Sequence, residues 1–507
     1  MAMQGRLAVM RNFIKTSLAG ICFVALLMSN ALAQAPFNTP PPTVPQLPGL
    51  STPQAPVVPT LPKAAPSPQE TQGAAPPQAL SGVARQMYDQ ARSKLLQIRV
   101  VSKGRTTQTG VGSGFYVSSD GLIVTNFHVI SKVALKPEKY QALFLSADGQ
   151  QGELNLLAFD IRNDLAVLKP TIEAKAPSFF VFRPLTNEVN RGERIFSMGN
   201  PLDIGFAVVE GTYNGLIAKS FYPQIFFSGA INPGMSGGPA LDEQGRIIGI
   251  NVAKRLDGES VAFLVPAAKA LALLDRTAQL KPAVAANAKP ATDVKDKNTK
   301  IDKVVEKTDA NAVEITKQLT DHQTDLVERF MGDPFKPQAY GPYRLPLPSE
   351  AFFRCWSNDQ SNSSAFKFER TDCRMESRVS TGQFSTGFMA MRHEVYDGRG
   401  LNEARYAAIF GEAFRNEGFV ATKNSQRTLS QCQESTINQK GLILRAVVCL
   451  NALKKHAGLY DLNVLVGSMN EGHTGLQARM DVTGVSYANA QRLLKKYLEG
   501  FAWQPAQ

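Results

Sequence analysis

Histidine and cysteine are both scarce in this sequence, and their absences exclude a good deal. Of five histidines in 507 residues, one, His128, precedes residue 300. Imidazole chemistry in that stretch therefore rests on His128 alone. Cysteine is missing between Cys22 and Cys355, so neither a disulfide nor a thiol nucleophile can serve there. No CxxC pair occurs, which argues against a zinc site. Past the N-terminus no apolar run approaches the ~20 residues needed to cross a bilayer. The net charge is +12, yet no aromatic-basic RNA motif or basic recognition helix accompanies it. Nucleic acid is not an expected partner, and the surplus reads as a solvated basic surface.

The first residues read as an export signal. Arg6, Arg11 and Lys15 precede an apolar run, Ser17 to Met28, and Ala31-Leu32-Ala33 supplies a small-x-small cleavage pattern. Residues 1–33 are expected to be a signal peptide, leaving no transmembrane anchor and a periplasmic or secreted product. Cys22 lies inside the apolar run and does not mark a lipoprotein. The other four cysteines, Cys355, Cys373, Cys432 and Cys449, all fall in the last third. An even count in an oxidising compartment suggests two disulfides. Of three connectivities, sequence proximity favours Cys355–Cys373 with Cys432–Cys449.

Residues 34–81 are rich in Pro, Ala, Gln and Thr and should form a disordered linker. Val83 to Leu96 has helical spacing. From there to residue 276 short β-rich runs recur between Gly, Asn and Asp turns, among them GVGSGFYV, GLIVTN, DLAVLK and RIIGINVA. Many short strands at this spacing indicate an all-β barrel or sandwich. Ala267 to Asp275 reads as its closing helix, and 277–303 as a second linker. Residues 304–331 keep approximate helical spacing, with His322 interrupting the apolar stripe. Residues 335–507 read as an α+β domain with two disulfides, closed by an amphipathic helix over 487–501.

Three short motifs stand out in order: TNFHV around His128, RNDLAVLK around Asp164, and NPGMSGGPA around Ser236. Each sets one polar residue where a strand end can present it at a cleft. A serine hydroxyl needs a base to become a nucleophile, and imidazole can take its proton and return it to the leaving amine. A buried carboxylate fixes the imidazole tautomer. Gly234 can turn its N–H, with that of Ser236, toward one point and so hold a developing oxyanion. The order His, Asp, Ser is that of the chymotrypsin arrangement.

On these motifs, over residues 111–270, the segment resembles the protease domain of HtrA/Deg-type trypsin-like serine proteases. The resemblance implies two six-stranded β-barrels with a cleft between them. It casts His128 as base, Asp164 as orienting acid and Ser236 as nucleophile, with no metal or organic cofactor. It implies a substrate pocket at Ala230, Ile231, Ala253 and Lys254. Ala230 stands where trypsin-like specificity would require Asp, so Lys or Arg is not the expected preference. Two features depart from the family. Met235 stands where Asn or Asp is usual, and no PDZ-type carboxylate-binding loop follows residue 276. The resulting expectation is an exported serine endopeptidase acting on proteins or peptides. The alternative is a catalytically weak or inactive protease-fold scaffold whose C-terminal domain binds a protein or cell-wall partner.

Overall fold

The computed structural model describes residues 81–504, except 106, 173–175, 177, 202–204, 255–260, 287–309, 360–365, 383, 417–425 and 470–471. The expected signal peptide and nearly all of the Pro-rich linker lie outside the described residues. Helix α1 (Gly82–Ala91) begins at Ser81, whose side chain accepts from Ala84 N–H. It ends five residues earlier than its spacing predicts, and Leu95 and Leu96 open the first strand instead.

Six strands close the first barrel: β1 (Leu95–Ser102), β2 (Gln108–Tyr116), β3 (Ile123–Thr125), β4 (Tyr140–Ser146), β5 (Gln151–Asp160) and β6 (Leu165–Pro170). Their order is β1-β2-β3-β6-β5-β4. Helix α2 (Phe127–Leu135) follows β3 directly. The second barrel has β7 (Arg194–Gly199), β8 (Ala207–Leu216), β9 (Ile225–Phe227), β10 (Pro239–Leu241), β11 (Ile247–Lys254) and β12 (Ala262–Pro266). It closes as β10-β11-β12-β9-β8-β7. The fold is thus a trypsin-like double barrel.

The run LAVLK in β6 is apolar throughout because both of its faces are covered. Ala166 and Leu168 join the core of the first barrel, while Leu165 and Val167 join a cluster with Phe196, Met198, Leu241 and Ile250 of the second. Side chains alternate across a strand, so one strand serves the barrel interior and the seam between barrels. Helix α3 (Ala267–Ala286) packs Ala270 and Leu273 into that seam. It extends ten residues into the expected linker.

Helix α4 (Ala310–Gly332) carries a buried stripe at Ile315, Gln318, Leu319, His322, Gln323, Leu326, Val327 and Phe330. At about 1.5 Å per residue it is long enough to serve two cores. Ile315 and Leu319 complete the core of the first barrel, whereas Leu326, Val327 and Phe330 belong to the C-terminal core. His322 does not break the stripe. One ring nitrogen meets Tyr222 Oη at 2.7 Å and the other accompanies Gly387 O at 2.7 Å. Burial pushes its pKa down to about 4.

The C-terminal domain is richer in β-structure than its sequence suggests. Strands β13 (Lys336–Tyr340) and β14 (Tyr343–Leu347) pair as a hairpin. Then come β15 (Phe353–Asp359), β16 (Lys367–Met375), β17 (Val379–Ser380), β18 (Ser385–Thr386) and β19 (Met389–Asp397), followed by helix α5 (Glu403–Asn416). Four long strands complete the sheet: β20 (Gln431–Gln439), β21 (Leu442–Ala452), β22 (Leu459–Ser468) and β23 (Thr474–Ser486). Helix α6 (Tyr487–Glu499) and the short β24 (Ala502–Trp503) end it. The main sheet is antiparallel with order β15-β16-β19-β23-β22-β21-β20. Disulfides Cys355–Cys373 and Cys432–Cys449 join residues that face each other directly in the β15–β16 and β20–β21 pairs. No helix among the described residues is long and apolar enough to cross a membrane.

Candidate active site

β3 ends at Thr125, so His128 stands in the first turn of α2 rather than on a strand end. A helix leaves its first N–H groups without internal partners, and here Asp164, just before the adjacent strand β6, supplies them. Its backbone carbonyl accepts from Phe127 N at 3.2 Å and from Asn126 Nδ2 at 2.8 Å. Its Oδ1 accepts from His128 N at 2.8 Å, where the helix dipole also favours negative charge. Oδ2 lies 2.6 Å from His128 Nδ1. Beside an ionised carboxylate Nδ1 carries the proton, which leaves Nε2 free to accept one.

Asp164 reaches this position through a left-handed backbone, φ 53°, which Asp tolerates better than most residues. The turn before it is tied by Asp160, whose Oδ1 accepts from Arg162 N at 3.0 Å and Asn163 N at 3.2 Å. The His128 side chain is 38% exposed at its outer edge. Burial of the rest disfavours the imidazolium, but the charge and hydrogen bond of Asp164 outweigh it and raise the His128 pKa above its ordinary value.

The loop around Ser236 is pinned from both barrels. Met235 N donates to Asn232 O at 3.0 Å, with Pro233 and Gly234 at the corner positions and φ 96° at Gly234. This is the pattern of a type II turn, which needs a residue tolerant of positive φ at the second corner. From the first barrel, Ser113 N donates to Ser236 O at 2.7 Å, and Ser113 Oγ donates to Gly234 O at 2.7 Å. From the second, Asn251 O accepts from Gly237 N and Asn251 N donates to Gly238 O, each at 2.9 Å. Separately, no protein acceptor is seen for the N–H groups of Gly234 and Ser236 among the described residues.

Gly237 brings this loop against the His128 motif. A Cβ there would lie 2.3 Å from both Ser113 O and Thr125 Oγ1, and its φ is 84°. The Ser236 hydroxyl itself donates to Val252 O at 3.0 Å. Met235 is fully buried in the second barrel with Ile195, Phe227, Ile231 and Leu264. A polar residue there would need a partner in that apolar core, and the thioether needs none.

The pocket candidates are placed less uniformly. Ala230 is exposed, whereas Ile231 is 3% exposed and packs into the barrel core. Ala253 and Lys254 close β11 opposite Phe263 and Ala262, and their side chains lie outside the described residues. Sequence reasoning missed Ser113 and Asn251. The signal for Ser113 was a lone hydroxyl between glycines in an apolar strand, and it is fully buried.

Residues 112–250 match the trypsin-like peptidase domain family. A "Probable periplasmic serine endoprotease DegP-like" of Brucella suis is 34% identical over 180 residues, covering 34% of each chain. A protein of the same description from Bartonella henselae is 34% identical over 166 residues, 31% of each chain. This chain thus spans about a third of the length of the curated relatives it matches. The crystal structure of a serine endoprotease from Yersinia pestis aligns with TM-score 0.34 at 24% identity, over 39% of this chain and 68% of that one. Residues 112–250 of this chain are a trypsin-like peptidase domain, similar to those of DegP-like serine endoproteases.

Proposed function

We propose that the protein is an exported serine endopeptidase that hydrolyses peptide bonds through an acyl-enzyme at Ser236. One observation carries the reading: the 2.6 Å contact of His128 Nδ1 with Asp164, which leaves Nε2 as the ring's acceptor. Turning the Ser236 hydroxyl from Val252 O toward Nε2 exchanges one hydrogen bond for another, a matter of about 1 kcal/mol. Oγ then attacks the scissile carbonyl carbon as Nε2 takes its proton. Asp164 stabilises the imidazolium, and the Gly234 and Ser236 N–H groups receive the oxyanion. The imidazolium returns the proton to the departing amine, and a water activated in the same way releases the acyl group.

Export is supported by the N-terminal pattern at Arg6 to Ala33 and by the cysteine pairs. Substrates are proteins or peptides, with a small or medium aliphatic side chain before the cut. No carboxylate stands at Ala230 to pair with a buried Lys or Arg. The test is proteolysis of an unfolded protein with product termini mapped by mass spectrometry. Cleavage by the wild type and none by a folded Ser236→Ala chain is expected. Equal cleavage by both would refute the reading.

A further inference from the structure

The C-terminal segment has no role in the reading above, yet it grips both elements that carry the base and its carboxylate. Gln318 of α4 is 1% exposed. Its Oε1 accepts from Ile161 N at 2.8 Å, and its Nε2 donates to Phe159 O at 2.9 Å and to Glu314 Oε1 at 2.7 Å. Asp164 follows three residues after Ile161, across the turn tied by Asp160. Phe159 also packs its ring on Phe127, at 5.1 Å between centroids, next to His128. A second grip falls on α2. Asn311 Nδ2 donates to Ala134 O at 3.0 Å, satisfying a carbonyl of its last turn. A third comes from the β17–β18 hairpin. Gly382 sits so close to α2 that a Cβ there would lie 2.3 Å from Ser131 Oγ, and that hydroxyl donates to His128 O at 3.1 Å.

These contacts differ from ordinary domain packing in where they fall. A fully buried glutamine that bonds the backbone at the end of β5 and the first residue of the turn after it holds the start of that turn in place. An apolar side chain of the same size would fill the space without doing so. The turn in question sets the position of the Asp164 carboxylate.

We propose, resting on the protease reading, that Gln318 is a positioning residue for the catalytic carboxylate, and that the 310–332 helix is thereby part of the catalytic apparatus. The charged groups around the turn are Asp160 and Arg162 within it, Arg276 from α3, and Glu314 and Asp325 from α4. Of these, Glu314 alone bonds to Gln318, so Gln318→Met also frees the Glu314 Oε1, while the ion pairs among Asp160, Arg162, Arg276 and Asp325 involve no atom of Gln318.

The test uses the full chain with Gln318→Met, which keeps the volume and the helix and removes the hydrogen bonds. Fluorophosphonate titration counts competent sites, and kcat, KM and the pH profile of kcat/KM are measured on one peptide. The expected result is a kcat per labelled site lower by about 10- to 100-fold with KM within about twofold, as for a slightly misplaced catalytic group. The acid limb should also move to lower pH, because a displaced Asp164 supports the imidazolium less. An unchanged kcat or an unmoved acid limb overturns the inference. Should Gln318→Met not fold, Asn311→Ala carries the test through the α2 contact. A lower kcat per labelled site supports the inference, and the wild-type value overturns it. A wild-type chain that neither labels nor turns over would instead refute the protease reading itself.

Discussion

Replacing Asp164 with Asn changes one atom and should cost nearly all activity. The amide oxygen can still accept from His128 N, now at 2.8 Å, so the first turn of α2 keeps its cap. Phe127 N and Asn126 Nδ2 bind the backbone carbonyl and are unaffected. The loss in fold stability should therefore stay near the ~1 kcal/mol of a weakened helix cap. The other carboxylate oxygen, 2.6 Å from Nδ1, becomes an N–H donor. Nδ1 must then accept, the ring proton moves to Nε2, and the base can no longer take the Ser236 proton. A wrong tautomer of this kind costs roughly 10⁴-fold in kcat. The pH profile gives a second readout. Burial opposes the imidazolium and Asp164 more than compensates, so the wild-type pKa is raised. Turnover needs neutral His128, so activity falls as pH drops through that raised value. Without the carboxylate the pKa falls, and the residual activity should keep its acid limb to lower pH. Peptide kinetics at a series of pH values decide the matter. A loss under tenfold, or an acid limb that stays in place, would mean that Asp164 is not the partner of His128.

Ser113→Ala removes the bond to Gly234 O and should lower kcat by up to about 100-fold with little change in KM. That falls short of the ~100- to 1000-fold typical when an oxyanion donor itself is lost, and a wild-type kcat would count against a positioning role for Ser113. Gly237→Ala drives a methyl group to 2.3 Å from Ser113 O at a positive φ, so thermal unfolding should shift down by several degrees and fewer sites should label. A peptide library should return mainly Val, Ala or Ile before the cut. Glu or Asp would point to attraction by Lys254, and a dominant Lys or Arg would overturn the pocket assignment.

The candidate site could be proposed from sequence where chemistry restricts residue type. One histidine precedes residue 300, and three polar residues sit in apolar runs, so few alternatives existed. The barrels were legible because strands such as β1, β3 and β6 are buried along nearly their whole length. The disulfides follow from short hairpins, with separations of 18 and 17 residues and direct cross-strand pairing. Less was visible where long-range contacts decide local structure. Val129, Ile130 and Val133 favour strand by propensity, but Asp164 caps them into a helix from 36 residues away. The Ala-rich stretch after residue 276 reads as a linker, yet alanine is also the best helix former, and α3 runs on to Ala286. The β20 strand, QCQESTINQ, lies at a sheet edge with little burial to pattern it. Nothing in the sequence singled out Gln318, because its partners at Phe159 and Ile161 stand more than 150 residues earlier.

The most direct test of the account is covalent labelling. The intact chain is treated with a fluorophosphonate, digested, and mapped by mass spectrometry. The account predicts a single adduct on Ser236, formed faster as pH rises through the His128 pKa, and absent from folded Ser236→Ala and strongly slowed in Asp164→Asn. No adduct on a folded wild-type chain, or one on another serine that survives Ser236→Ala, would contradict it.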